Sequence, residues 1–452
     1  MALLKIGIVG AGFTGTSFIA LVHYLAKRPI EIFLFEKTGA FGPGIAYSTI
    51  SPFHLLNVRA SDMSILEPES EHFVDWLKQD EIAKNYLDAN EEIGNQFVPR
   101  FLYGNYLKEI LEKIRFENRI KIHFIPTEVN GIISNAKHLK LVTTDKEITV
   151  DKVILAIGNS LPATPSFPLS PKENYIANPW HSDIFKEINP HDSVMLLGSG
   201  LSMIDSVLTL YHQQHKGKIF SLSRHGLLPL PHNNNNKNNS YCLTKKLPTN
   251  LLKLTKFLRA ESKILMAKED DWRSLINAFR PFIPQVWSQL TLVDKNKFLR
   301  HGLAYWNIHR HRVPVSVMDI LIQLRRSQQL EILKGRLLEF NDEIAFIRQR
   351  GSNAVTPLQV KWLINCTGPS LNMNNASDLL IQSLVKQELT IWDQPQNLSF
   401  KVSPLGALVN AKGIASSSLY AVGPSCKGAM WESTAVPEIR KQNFNLVMQI
   451  LV

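Results

Sequence analysis

Apolar residues cluster at Leu3, Leu4, Ile6, Ile8 and Val9 and again over residues 30–35, in runs of the length a buried strand takes. Between them residues 16–27 look helical in pattern, so the chain opens as strand, turn, helix, strand. Helical patterns return at residues 71–78 and 103–116, with Pro99 and Arg100 interrupting the chain between them. The passages 39–49 and 54–63 show neither period and predict a long loop lying over whatever the first turn binds. Residues 121–157 alternate as a strand meander, with pieces at 128–133, 138–143 and 147–150. Its last strand, 152–157, closes on Gly158 and is predicted to lie beside the opening strand.

The same order then starts again. Pro162, Pro165 and Pro168 mark a linker, and residues 193–197 and 218–223 read as strands with a helix from about 202 to 212 between them. An asparagine-rich tract at 232–239 predicts a surface loop, and residues from about 243 to 330 are mostly helical in pattern. Strand patterns follow at 331–338, 344–348 and 359–366, the last closing on Thr367 and Gly368 as the earlier one closes on Gly158. A short strand at 419–422, a turn at Gly423 and Pro424, and an amphipathic helix over 437–451 complete the pattern. Pro437 suits the first turn of that helix, where its missing N–H costs nothing.

Candidate chemistry sits where strands turn into helices. Gly10, Gly12 and Gly15, with Phe13 and Thr14 among them, fill the first turn; Glu36, followed by Lys37, closes the second strand 21 positions past Gly15. In this dinucleotide fingerprint the first glycine permits the tight turn, the second lets backbone amides approach a pyrophosphate, and the third lets helix and strand pack closely. The phosphates sit at a helix N-terminus, where free N–H groups and the macrodipole favour negative charge, and the acid accepts ribose hydroxyls.

Gly198 and Gly200, followed by Leu201 and Ser202, make a second such turn. Met203 replaces its third glycine, which predicts looser helix-to-strand packing. Arg224, 21 positions past Met203, stands where the first unit has its acid. An arginine there can pair with a 2′-phosphate, which points to NADPH; the other reading is an ordinary solvated charge at a strand end. The cluster His309, Arg310, His311, Arg312 is open between binding phosphate or an acidic substrate and ending a helix with charge.

A length of 452 residues implies two or three domains. The two turns predict an α/β fold with two Rossmann-like dinucleotide-binding domains and a helical insertion. We expect the first domain to be discontinuous, 1–165 and 361–452, around a second at 166–360 whose insertion spans about 232–330. The net charge of +11 leaves an acidic partner open, but basic and acidic residues are interspersed, which favours a solvated surface and no nucleic-acid partner. Cys242, Cys366 and Cys426 form no CxxC pair, so neither a disulfide framework nor a dithiol centre is expected, and a reducing cytoplasm is the simplest setting. Cys426, in a glycine-rich turn, reads either as a buried inert thiol or as a neighbour of a cofactor. No metal site is expected, and no apolar run reaches the length of a membrane span.

The chain resembles the bacterial FAD-NAD(P)-binding proteins, themselves similar to class B and N-hydroxylating flavin monooxygenases. The resemblance covers nearly all of it and rests on both glycine turns, the segments at 44–49 and 54–57, Pro99 and Arg100 with Tyr103 and Gly104, Ser223 to Gly226, Trp306 with His309 to Arg312, and residues 431–440. It implies FAD at the first turn and NAD(P)H at the second, with Gly423, Pro424 and the start of the last helix near the flavin ring; Gly158, Gly368 and Arg100 are further cofactor-site candidates. His54, Asn57 and His181 become candidates for the flavin or substrate face. The reaction it implies is a FAD-dependent oxidoreductase using NADPH, monooxygenase-like, on a small molecule. A flavin-binding regulatory or interaction protein with little turnover is the alternative; a flavin-dependent RNA-modifying enzyme is favoured only by the basic pI.

Overall fold

The computed structural model describes residues 3–117, 119–135, 138–163, 165–170, 173–180, 182–233, 241–268, 270–370, 378–394 and 397–451. The opening pattern becomes β1 (Leu4–Val9), α1 (Phe13–Leu25) and β2 (Ile30–Phe35). Next come α2 (Gly44–Tyr47), α3 (His72–Gln79), α4 (Glu81–Lys84), α5 (Arg100–Glu117) and β3 (Lys121–Ile125). An antiparallel meander, β4 (Gly131–Ser134), β5 (Leu139–Val142) and β6 (Glu147–Val150), leads into β7 (Lys152–Leu155).

The second unit starts with a two-residue strand, β8 (Tyr175–Ile176), then β9 (Val194–Leu197), α6 (Leu201–His212) and β10 (Ile219–Ser223). Six helices follow: α7 (Leu251–Ala267), α8 (Trp272–Phe279), α9 (Ile283–Gln289), α10 (Leu292–Lys297), α11 (Leu303–Arg310) and α12 (Val315–Arg326). The strands β11 (Leu330–Asn341), β12 (Ile344–Gln349), β13 (Val355–Gln359) and β14 (Trp362–Asn365) close that unit. The chain then adds α13 (Leu379–Lys386), β15 (Ala407–Val409), β16 (Ala415–Ala421) and α14 (Val436–Leu451).

Both large sheets carry one strand order. In the first it is β15-β16-β7-β1-β2-β3, and in the second β13-β12-β11-β10-β9-β14-β8. The parallel sets β7-β1-β2-β3 and β14-β9-β10-β11 are the same arrangement written twice, which makes this an α/β fold of two Rossmann-like units. The crossover from β10 to β11 holds the helical insertion, at the topological place where residues 36–120 connect β2 to β3 in the first unit. Strands β15 and β16 join the first sheet beside β7, so the late part of the chain returns to it.

Parallel strands covered on both faces must be apolar throughout, which explains the near-continuous runs. Ile6 and Ile8 of β1 and Val194, Met195 and Leu196 of β9 are fully buried, each such aliphatic side chain contributing about 1.5–3 kcal/mol. Met203, which stands where the third glycine would be, is wholly buried in the second core. The expected strand at 128–133 starts later, at Gly131, and the strand expected at 359–366 is the shorter β14, because Gln359 ends a separate strand, β13, and the chain turns before Trp362.

Candidate active site

The first turn has the geometry its glycines require. Gly10 sits at φ +101°, and a Cβ there would lie 2.3 Å from the Ala156 carbonyl oxygen at the end of β7. A Cβ on Gly15 would lie 2.2 Å from the Gly10 carbonyl oxygen. Gly12 caps α1 with no side-chain bond to its first turn, so those N–H groups remain available to phosphate. Glu36 comes back to this turn: its carboxylate accepts from the Ala11 N–H at 3.0 Å and from the Thr38 hydroxyl at 2.9 Å. The loop after it folds over the turn, where a Cβ on Gly12 would lie 3.3 Å from Gly44 Cα. From the other side, a Cβ on Gly423 would lie 3.0 Å from Thr14 Oγ1, and Asn443 of α14 donates to the Thr14 carbonyl at 2.9 Å. Phe13 is buried, Pro424 lies in the short turn beside Gly423, and exposed Lys37 reaches Glu128 at 3.7 Å.

The second turn repeats the first. Gly198 sits at φ +114°, with a Cβ clash of 2.3 Å against the Cys366 carbonyl oxygen, while Gly200 faces open space. Gly200 also caps α6, ahead of Leu201 and Ser202, without a side-chain bond. Gly158 and Gly368 match too: both follow the central partner strand at positive φ, with open space around them. Arg224 is exposed at the end of β10, and Arg350 donates to its carbonyl at 3.3 Å and to the His225 ring. Lys334 lies across from Ser223 on β11, so three cations flank the place the sequence marks for a 2′-phosphate. The residues therefore fit a dinucleotide at each turn.

Where the units meet, Arg100 and Asp205 form a buried bidentate pair, at 2.7 and 3.1 Å, joining α5 to α6. Arg100 also donates to the Leu55 carbonyl at 3.0 Å, and its guanidinium lies 5.8 Å from the Trp180 ring. His54 adds a second joint: Nε2 bonds the Asp205 carbonyl at 3.2 Å and Thr209 Oγ1 at 2.9 Å, and Nδ1 bonds Thr49 Oγ1 at 2.8 Å. A cavity of about 240 Å³ opens beside this joint, between Phe53, Trp180 and Ser206. Asn57 turns its carbonyl to His232 Nε2, at 3.0 Å. His181 lies outside the described residues.

Sequence reasoning gave no role to Asp205, seen only as the end of the second glycine motif, or to Thr209; their signal was an acid and a hydroxyl four positions apart on an otherwise apolar helix. It also missed the union of the insertion with the chain after β16. Arg310 is 5% exposed, with Nε 2.9 Å from Glu432, and Trp306 Nε1 donates to the same carboxylate at 2.7 Å. Glu438 pairs with Arg280 at 2.6 Å, and Trp431 stacks on Trp287 with centroids 4.5 Å apart. Glu432 holds φ +78°, a strained conformation for a residue with a Cβ. Burial pushes the Cys366 and Cys426 thiols up to about 12, so neither is a ready nucleophile.

Burial pushes His232 down to about 3, with Arg312 adding to the effect, and lowers His54 as well. Because the folded values lie below the unfolded one near 6.5, these rings stabilise the fold above pH 6.5, and that stability is lost as pH falls toward the folded values. Melting temperature should therefore drop from pH 7 to pH 4, with His232 alone contributing up to about 1.4 kcal/mol per pH unit. His232→Gln should flatten that slope in thermal melts across the range; an unchanged slope would mean His232 is not the group titrating.

Residues 7–160 match the family model described as FAD-NAD(P)-binding. They are an FAD-NAD(P)-binding domain. No curated protein matches the chain by sequence. Among solved structures, the ornithine N-hydroxylase of Kutzneria sp. 744, with reduced FAD, NADP+ and L-ornithine, aligns over 99% of both chains at 14% identity and TM-score 0.68. The FAD-bound cadaverine monooxygenase of Erwinia amylovora aligns over all of this chain and 95% of its own, at 12% identity and TM-score 0.67. L-lysine 6-monooxygenase from Pseudomonas syringae aligns over 98% of both chains at 12% identity and TM-score 0.66. At such identities the likeness establishes the fold alone, an α/β chain of two Rossmann-like units. Among the described residues no helix is long and apolar enough to cross a membrane.

Proposed function

We propose that this chain is an NADPH-dependent flavin monooxygenase acting on a small amine. The observation that carries the reading is the duplicated cradle: two glycine turns with matched positive φ and matched backbone contacts, on two sheets of one strand order. The division into 1–165, 166–360 and 361–452 belongs to the same proposal, supported by the return of β15 and β16 to the first sheet. The hydroxylation of amines comes from the three neighbours named above.

Bound FAD would supply the redox chemistry, accepting hydride from NADPH and passing electrons to oxygen. The residues that would hold it are Gly10, Gly12, Phe13, Thr14 and Gly15 at the pyrophosphate, Glu36 at the ribose, and Gly158, Gly423 and Pro424 around them. Gly198, Gly200, Leu201, Ser202 and Gly368 would hold NADPH, with Arg224 at its 2′-phosphate. His54 and Arg100 serve as joints between the units. Both nitrogens of the His54 ring are engaged, which suits a positioning residue better than a proton shuttle. Asn57 and His181 are the remaining candidates for the substrate face.

The test is anaerobic mixing of FAD-reconstituted protein with NADPH while flavin absorbance is followed, then amine-stimulated NADPH oxidation in air. Bleaching faster with NADPH than with NADH supports the reading; a flavin that stays oxidised with and without amines overturns it and leaves a flavin-binding regulatory protein in front. Arg224→Ala should lower the NADPH-to-NADH preference by at least about tenfold, as loss of a charge-assisted pair implies. Equal selectivity in the variant would return Arg224 to a solvated strand-end charge.

A further inference from the structure

Folding sorts charges that the sequence intersperses. Helix α7 turns Leu254 and Leu265 inward, into one apolar cluster with Leu275 and Phe279 of α8. Its one acid, Glu261, is buried as well, its carboxylate held by Lys245 at 2.5 Å and by the Tyr241 hydroxyl at 2.9 Å. The outward side is left with Lys253, Lys256, Arg259 and Lys263, all exposed. Residues three or four apart share a helix face, so these cations form one stripe along α7. Among the described residues none of the four has an ion-pair partner.

Helix α10 hides its charge in the same way. Its one acid, Asp294, is buried and accepts the Leu251 N–H at 3.2 Å, which ties the start of α10 to the start of α7. At that junction the outward residues are apolar: Leu252 is 63% exposed, Leu292 54% and Val293 61%. Lys297 stands exposed at the other end of α10. A corner of three exposed aliphatic side chains is therefore backed by a stripe of cations with no acid among them.

The two features call for one partner. The stripe attracts an anionic surface, and the aliphatic corner gains only where it can leave water. A bilayer with anionic headgroups offers both, charge at its surface and an apolar layer just beneath. A second copy of the chain would set cations against cations. A nucleic acid would leave the corner in water and find no aromatic ring among the exposed residues of α7 on which to stack a base.

We propose that this face of the insertion docks the protein on an anionic phospholipid surface, with the α7 cations over the headgroups and Leu252, Leu292 and Val293 entering between them. The docking is independent of which substrate the chain takes. The experiment is co-sedimentation of the FAD-reconstituted protein with vesicles of phosphatidylcholine, alone or mixed with phosphatidylglycerol. Binding should be at least about tenfold stronger to the mixed vesicles at low salt, and should fall as salt screens the headgroups.

Two surface variants assign the face. Lys253→Glu with Lys256→Glu should lose at least about tenfold on mixed vesicles, and Leu252→Ser with Val293→Ser at least about threefold. Both should keep the parent's melting temperature and flavin spectrum, since neither touches a buried side chain. Equal binding to the two kinds of vesicle, or no binding, overturns the proposal, as does a charge-reversed variant that binds like the parent. A single-stranded RNA that binds the parent more tightly than mixed vesicles do, and binds the serine variant equally well, overturns it in favour of a nucleic-acid face.

Discussion

Gly198→Ala is expected to leave FAD bound while slowing NADPH-driven flavin bleaching by at least about a hundredfold. Two strains coincide at this position. The backbone at φ +114° is one that residues with a Cβ rarely adopt, and the added carbon would lie 2.3 Å from the Cys366 carbonyl oxygen. That oxygen belongs to the residue that follows β14, which pairs with β9 along its whole length, so it cannot retreat far without disturbing the sheet. The turn must shift instead, and with it the N–H groups that open α6; a loss of about 2.7 kcal/mol in binding corresponds to the hundredfold. The matched substitution Gly10→Ala meets the same 2.3 Å clash at Ala156 and should instead release the flavin. Both variants are read in one pair of measurements, flavin retained on gel filtration and anaerobic bleaching by NADPH. A Gly198→Ala protein reduced at the parent rate would show that the second turn does not hold the reductant.

The contrast between local and distant structure explains what could be read from the residues alone. The glycine turns were legible because each glycine answers a backbone demand within its own strand-turn-helix unit, and the strand runs were legible because a covered parallel sheet is apolar on both faces. Glu36 was legible for the same reason, since one β-α-β unit carries both ends of the fingerprint. Arg100 was seen as a residue near the cofactors, but its partner Asp205 lies 105 positions away and no spacing rule connects them. The Arg310 to Glu432 pair joins the insertion to the segment before α14, a union that exists only after both sheets have formed. Arg312 stood in an arginine-histidine cluster that read equally as a helix end; its burial and its bond to Asn277, 35 positions away, emerge only in the folded chain.

Asp205→Ala should destabilise the protein by about 3–5 kcal/mol, the usual consequence of removing one member of a buried ion pair. Arg100 would keep its bond to the Leu55 carbonyl but lose both oxygens that now face its guanidinium, with side chains about 10% exposed on either side. The double variant Arg100→Met, Asp205→Leu removes both charges and should recover most of that loss, because apolar residues of similar volume can replace a buried pair without net cost. Chemical unfolding of the three proteins measures this directly; a double variant no more stable than Asp205→Ala would mean the pair is not the source of the effect. Flavin reduction by NADPH should not recover in parallel. The pair ties the start of α5 to α6 between the two units, and a misplacement near 1 Å between bound reactants can cost about a hundredfold in rate. Apolar packing restores cohesion but has no fork to hold that tie, so the double variant is expected to be stable and slow. A double variant that is both stable and fast would make the pair a structural rivet with no part in aligning the cofactors.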